Sequence, residues 1–324
     1  MREMTYAQAI CETLDKEMER DDNIVMLGED VGFIGGNFKT SVGLLEKYGD
    51  LRVKDTPISE QGFVGMGVGM ALTGLRPIIE LMFSDFMLVA ADGVFNQAAK
   101  IRYMSGGQAT VPMTIRCPIG AGRSSAAQHS QSMQAMAAHF PGIKVVVPST
   151  AQEAAGLLMT AIRDDDPVVV FEHKMEYNKK FKVDDVIEPI PFGKARIARE
   201  GKDITIVATS SMVMKSEEAA KRLEKEGIDC EIIDLRTIVP MDTETIINSV
   251  KKTGKLIVAD EAYERCGIGA EIPAAVADEI FYYLDAPCGR VNNPNVPLPF
   301  SPALEFPLIP SADKVYEKVK TYFK

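Results

Sequence analysis

Short apolar runs rich in β-branched residues alternate with stretches of helical period, and this alternation restricts the fold more than any other feature of the sequence. Residues 24–27, 77–82, 111–116, 143–147 and 168–172 read as strands, and 5–20, 85–104 and 150–163 as helices. The first helix opens on Thr5 with Gln8 three residues later, the pattern of a reciprocal capping box. Strands that are apolar throughout, joined by helices, predict a parallel sheet covered on both faces. A charged, weakly periodic stretch ending in Pro189-Ile190-Pro191 breaks the pattern, and strand–helix alternation then resumes through strands 204–209, 230–235 and 256–260. The expectation is α/β with two parallel-sheet domains, residues 1–175 and 193–324, joined by a linker at 176–192. The six prolines between Asn292 and Pro310 predict an irregular strap before a last helix at 313–322.

Composition narrows the partners. The 36 Lys and Arg residues against 46 Asp and Glu give a net charge of −10, a surface that repels phosphate backbones and anionic lipid. Neither nucleic acid nor a membrane is an expected partner. Five scattered cysteines with no C-x-x-C pair suit reduced thiols in a cytoplasmic protein. The three histidines lack the spacing of a zinc site. The opening Met1-Arg2-Glu3-Met4-Thr5 has no apolar segment of the kind a signal peptide carries. Phosphate-loop, dinucleotide, serine-hydrolase and zinc-protease motifs are all missing.

The segment from Asp55 to Gly69 stands apart. Gly62, Gly65, Gly67 and Gly69 fall on one helical stretch, which in isolation loses about 1 kcal/mol per glycine relative to alanine. Such a helix makes sense where another backbone or a ligand approaches closely. Glu60 at its start places a carboxylate beside that smooth surface. Read from the residues alone, the segment is equally a helix packed on a neighbouring subunit.

Glu60, Gly65, Met66 and Gly69 match the spacing of pyrimidine-binding domains in thiamine diphosphate enzymes. Further blocks follow in order: Asp55-Thr56-Pro57-Ile58-Ser59-Glu60, Gly74-Leu75-Arg76-Pro77, Asp85-Phe86, Asn96-Gln97-Ala98-Ala99-Lys100, Gln128-His129-Ser130-Gln131, Pro141-Gly142-Ile143-Lys144 and Asp234-Leu235-Arg236-Thr237. Over nearly its whole length the chain resembles the beta subunit of the first, decarboxylating component of 2-oxo acid dehydrogenase complexes. The resemblance implies a thiamine pyrimidine-binding domain followed by a transketolase C-terminal-like domain, the latter serving mainly subunit association.

It also implies roles for individual residues. Glu60 would share a proton with the aminopyrimidine ring nitrogen, a hydrogen bond that keeps its strength only where water is shut out. Phe86 would stack on the pyrimidine and Met82 would wall the same pocket. His129 would handle protons during acyl transfer to lipoamide, a task suited to a group titrating near neutral pH. Taken without the resemblance, a loop histidine is more often a surface residue. Some family members hold a potassium ion at positions matching Met113, Ala161, Ile162, Asp164 and Asp166, and oxygen ligands suit a hard cation. Asp166 departs from the asparagine often found there.

One anchor is missing from the sequence. The diphosphate is held in this family through magnesium bound to a Gly-Asp-Gly with a later Asn, and no Gly-Asp-Gly occurs here. The resemblance therefore implies half a site, completed by an alpha subunit that carries the diphosphate and magnesium. A heterotetramer of two alpha and two beta chains docked on a lipoyl-bearing acyltransferase core is implied. The run Glu80-Leu81-Met82-Phe83 sits closer to pyruvate and acetoin types than to branched-chain ones. A self-sufficient transketolase-like enzyme and a non-catalytic scaffold are the competing readings; the absent Gly-Asp-Gly weighs against the first, and the joint presence of Glu60 and His129 against the second.

Overall fold

A computed structural model describes residues 1–323. In chain order the first half contains β1 (Arg2–Thr5), α1 (Tyr6–Arg20), β2 (Ile24–Gly28), α2 (Leu44–Tyr48), β3 (Val53–Asp55), α3 (Glu60–Leu72), β4 (Arg76–Glu80), α4 (Ile101–Met104) and β5 (Thr114–Ile119). It continues with α5 (Gln134–His139), β6 (Lys144–Val146), α6 (Ala151–Arg163), β7 (Val168–His173) and β8 (Lys180–Val183). The second half holds β9 (Arg196–Arg199), β10 (Ile204–Ala208), α7 (Met212–Glu224), β11 (Cys230–Asp234), β12 (Thr237–Val239), α8 (Thr243–Thr253) and β13 (Leu256–Tyr263). It ends with α9 (Ile268–Ile280), β14 (Gly289–Asn293), α10 (Pro302–Glu305) and α11 (Ala312–Lys320). Two compact units result: 1–119 with 136–192, and 120–135 with 193–324.

In the first unit β6, β7, β5, β4, β2 and β3 lie side by side in that order, all parallel. Every residue of β2, β5 and β7 is buried, as apolar strands between two helical layers require. The capping box of α1 forms as read: Gln8 N–H donates to Thr5 Oγ1 at 3.1 Å, and Thr5 N–H to Gln8 Oε1 at 2.8 Å. α1 buries Ile10, Leu14 and Met18 at helical spacing. It is tied to α6 by Arg163, which donates to both oxygens of Glu17 at 2.5 and 3.0 Å.

The second unit has a mixed sheet in the order β14-β13-β10-β11-β9, parallel except for the antiparallel edge strand β9. Its core is formed by Ile204, Ile206, Ile232 and Ile257 against Met212, Leu223, Val315 and Val319.

Three stretches differ from the sequence reading. The expected long helix at 85–104 is a 3₁₀ turn (Ser84–Leu88), a π-helix (Asp92–Ala98) and the short α4. The wider winding is held by Asp92, which accepts from Asn96 at 2.9 Å and from Gln97, five residues on, at 3.3 Å. It also fits Gly93 against α3, where a Cβ would stand 2.9 Å from Val64 Cγ1. The stretch read as a linker carries β8, antiparallel to β1. Its Lys180-Phe181-Lys182-Val183 alternates at period two, and Phe181 packs near the Tyr6 ring at 6.3 Å. Gly267, Gly269 and Pro273 punctuate α9 and mask its helical period, yet Ile268, Ile272, Val276 and Ile280 are buried at every fourth position.

Candidate active site

The chemistry-bearing residues of the first unit gather where its parallel strands end, the edge at which ligands bind in open α/β sheets. β3 runs through a short loop into α3, whose first residue is Glu60. Its side chain is only 5% exposed, and the position at a helix N-terminus favours a carboxylate there. Behind it Gly67 packs into the sheet, where a Cβ would lie 2.8 Å from Ile79 Cδ1 and 3.1 Å from Met113 Sδ. Gly65 and Gly69 face outward, and a Cβ on either meets nothing within 4 Å. Met66, Leu72 and Ile58 are exposed on or beside the same helix.

Glu29, one residue past β2, is the group that sequence reasoning missed. It is 7% exposed, and its Oε1 is buried without a hydrogen-bond partner. Burial, with the charges of Glu60 and Asp30, pushes its carboxyl above the usual range. Glu29 thus keeps its proton to higher pH than an ordinary glutamate, beside a second buried carboxyl group. The only signal in the sequence was acidic residues directly following a strand.

Met82 and Phe86 lie just past β4, both half-buried. Phe86 meets Phe83 edge-on at 5.9 Å, Phe83 meets Phe38 at 6.1 Å, and Phe38 stacks on Tyr177 at 4.5 Å. The Lys174 ammonium stands 5.0 Å from the Phe83 ring centre. Beneath this aromatic row lies a buried ionic network. Arg116 donates to both oxygens of Glu172 at 2.8 and 2.7 Å and to Glu80 at 2.6 Å. Thr40 donates to Glu80 at 3.0 Å and the Tyr177 hydroxyl to Glu172 at 2.7 Å. Burial opposes the Arg116 charge, but the two carboxylates outweigh it and the guanidinium stays charged. Burial raises Glu80 despite the nearby Arg116. The network joins β4, β5 and β7 to the loop after β2 through Glu80, Arg116, Glu172 and Thr40.

His129 belongs to the second unit. It closes a 3₁₀ turn, Ala127–His129, in the loop that follows β5, and is half-buried. His139 meets Phe140 edge-on at 5.6 Å. His173 is buried, with Nδ1 accepting from Met175 N–H at 3.2 Å.

Around the acidic turn after α6 the oxygens are already engaged. Arg76 donates to the Ile162 and Asp164 carbonyls at 3.0 and 2.6 Å. The Met113 carbonyl accepts from Val168 N–H at 3.0 Å, and the Ala161 carbonyl from Asp164 N–H at 3.2 Å. The Asp164 carboxylate takes Lys144 at 2.7 Å on each oxygen, and Asp166 pairs with Arg102 and, at 3.4 Å, with Lys144. Both acidic side chains are neutralised by protein cations, which leaves shared carbonyl lone pairs for any ion. Among the described residues no cluster of three His, Cys, Asp or Glu side chains is arranged to hold a metal. No helix among them is long and apolar enough to cross a membrane.

A glycine-smoothed helix led by a buried glutamate at the carboxyl edge of a parallel sheet, followed by a second α/β unit, defines the class. Residues 2–180 match the transketolase pyrimidine-binding domain, and 193–315 the transketolase C-terminal domain. The chain belongs to this transketolase-like family, within the branch of pyruvate and acetoin dehydrogenase beta subunits. It is 48% identical over 318 residues to the pyruvate dehydrogenase E1 component subunit beta of Rickettsia felis, covering 98% of each chain. It is also 48% identical to the acetoin:2,6-dichlorophenolindophenol oxidoreductase subunit beta of Cupriavidus necator, covering 97% of this chain and 96% of the other. Among solved structures, a split-gene transketolase described as an inactive beta4 tetramer shares the fold, with a TM-score of 0.80 over 98% of this chain and 24% identity.

Proposed function

We propose that the chain is the beta subunit of a cytoplasmic, thiamine diphosphate-dependent 2-oxo acid or acetoin dehydrogenase. It acts with an alpha subunit, two of each, to cleave the substrate and pass the acyl group to lipoamide on an acyltransferase core. The observation that carries this reading is Glu60, buried at the head of a glycine-lined helix beside Glu29, whose unpartnered oxygen calls for a polar ligand. That environment fits an aminopyrimidine; magnesium and the diphosphate fall to the alpha subunit. When bound, thiamine diphosphate supplies a carbon nucleophile that attacks the substrate carbonyl and stores the electrons released on cleavage.

This chain's residues supply the proton control. Glu60 holds a proton at the ring nitrogen, and its burial keeps that hydrogen bond from being diluted by water. Glu29, pushed toward its neutral form, adds a donor without adding a second full negative charge. Phe86 and Met82 give the ring an apolar wall. His129 gives a proton to the lipoyl sulfur that leaves as the other sulfur takes the acyl group. A potassium ion on the carbonyls of Met113, Ala161 and Ile162, near Asp164 and Asp166, would be a structural addition, and no step depends on it.

Two assays on the assembled enzyme test the reading. The ratio kcat/KM measured with pyruvate, acetoin and branched 2-oxo acids is expected to favour pyruvate or acetoin; preference for a branched acid would reassign the substrate. His129→Ala is expected to lower acyl transfer to lipoamide on the order of 10²-fold, the scale of a lost acid–base group, while reduction of an artificial dye falls far less. Equal loss in both assays would remove His129 from the acyl-transfer step.

A further inference from the structure

The loop that carries His129 is strained, and its conformation is held by carboxylates elsewhere in the same second unit. Gly120 and Gly122 have φ of +94° and +99°, and Ser124, with a side chain, has +54°. Ala126, three residues before the histidine, has φ +61° and ψ −173°, a region that essentially only glycine occupies. A short segment with four positive-φ residues, two of them bearing side chains, does not keep one shape unless its surroundings over-determine it.

Two buried carboxylates do so. Glu261, on β13, is 3% exposed and accepts from the Ala121 N–H at 2.8 Å. Its other oxygen takes Lys215 at 3.1 Å and the Ser211 hydroxyl at 3.3 Å. Glu305, the last residue of α10, is fully buried. One of its oxygens accepts from Gly122 N–H at 2.8 Å, the other from Ser124 N–H at 2.9 Å and Ser124 Oγ at 3.1 Å. Past the histidine, Gln134 donates to buried Asp260 at 2.9 Å. Burying a carboxylate is costly unless donors surround it, and here the donors that meet Glu305 are the N–H groups and hydroxyl of this loop. The unpaired amides of a turn with left-handed residues form a concavity suited to an anion, and Glu305 fills it.

We propose that Glu305, assisted by Glu261, is a positioning residue for His129, which makes the second unit part of the acyl-transfer machinery as well as a module for association. The proposal rests on the acid–base role given to His129. Pro302 opens α10 and Pro307 follows two residues after its end, so Glu305 lies between two residues of fixed φ. Replacing the carboxylate with an amide sets an NH₂ against a backbone N–H, so Glu305→Gln loses a hydrogen bond and gains a repulsive contact at nearly constant volume.

The test uses the assembled enzyme carrying Glu305→Gln. Amide hydrogen exchange at Gly122 and Ser124 is expected to quicken at least about 10-fold as the loop opens locally. Acyl transfer to lipoamide should fall about 10–100-fold, the cost of misplacing a reacting group by an ångström or so, with dye reduction within about 3-fold of the parent. Adding Glu305→Gln to His129→Ala should cost nothing further in acyl transfer, because the loop then has no histidine to place. Should Glu305→Gln fail to assemble, Glu305→Asp keeps the charge but cannot span both amides, and the same selective loss is expected at smaller amplitude. Unchanged exchange at Gly122 and Ser124, or equal loss in both assays, overturns the proposal. If His129→Ala itself leaves acyl transfer intact, the role of His129 falls and takes the catalytic half of the proposal with it. The exchange result then decides alone whether Glu305 orders the loop.

Discussion

The Glu60→Gln enzyme is expected to assemble normally and lose turnover on the order of 10²–10⁴-fold, the range set by removing a positioned acid–base group. Glutamine has almost the same volume, so the contacts around the head of α3 survive. What disappears is the negative charge that, in the proposed function, holds a proton at the ring nitrogen. The helix N-terminus loses a favourable charge worth only about 0.3–1 kcal/mol, too little to unfold a domain. The substitution also removes one of the charges that, after burial, raises Glu29. Dye reduction by the variant, with gel filtration to confirm assembly, checks the expectation. Turnover within about 3-fold of the parent would take Glu60 out of proton control.

The largest effect on stability is expected at Arg116, which is 1% exposed and bonded to two carboxylates. Arg116→Leu leaves Glu80 and Glu172 buried without their cation, and breaking one side of a buried ion pair costs about 3–5 kcal/mol. For a unit of this size that corresponds to a fall in Tm of roughly 10 °C. The pH dependence has a definite sign. Burial already holds Glu80 above its unfolded value in the intact chain, so its contribution to stability is favourable in acid and lost as pH rises through the folded pKa. Removing Arg116 lifts that folded pKa further. The difference in stability between variant and parent should therefore widen as pH rises above the ordinary carboxylate range. Urea midpoints at several pH values measure it. A loss below about 1 kcal/mol at neutral pH would mean that water, not Arg116, balances these carboxylates.

Much of this was legible in the chain because the physics is local. Apolar runs made the inner strands, Thr5 with Gln8 made the cap, and the stretch holding Glu60, Gly65, Met66 and Gly69 forms the helix that leads the candidate site. What escaped notice depends on residues far apart in sequence. Glu29 matters because the fold sets it near Glu60, thirty-one residues on. Arg116 reads as one charge in an apolar strand until Glu80 and Glu172 arrive from either side. Glu305 lies in a proline-rich strap whose composition suggested only irregular covering, yet it meets a loop about 180 residues earlier. The 85–104 helix failed for a related reason: helical period is visible in one dimension, but the close approach of Gly93 to Val64, which accompanies the π-winding, is not.

Calorimetric titration of magnesium thiamine diphosphate tests the half-site most directly. The isolated chain should bind with a Kd weaker than about 1 mM, because only the pyrimidine can be held. With the alpha subunit present, binding should become tight, with one cofactor per alpha–beta pair. Tight, stoichiometric binding by the isolated chain would contradict the account.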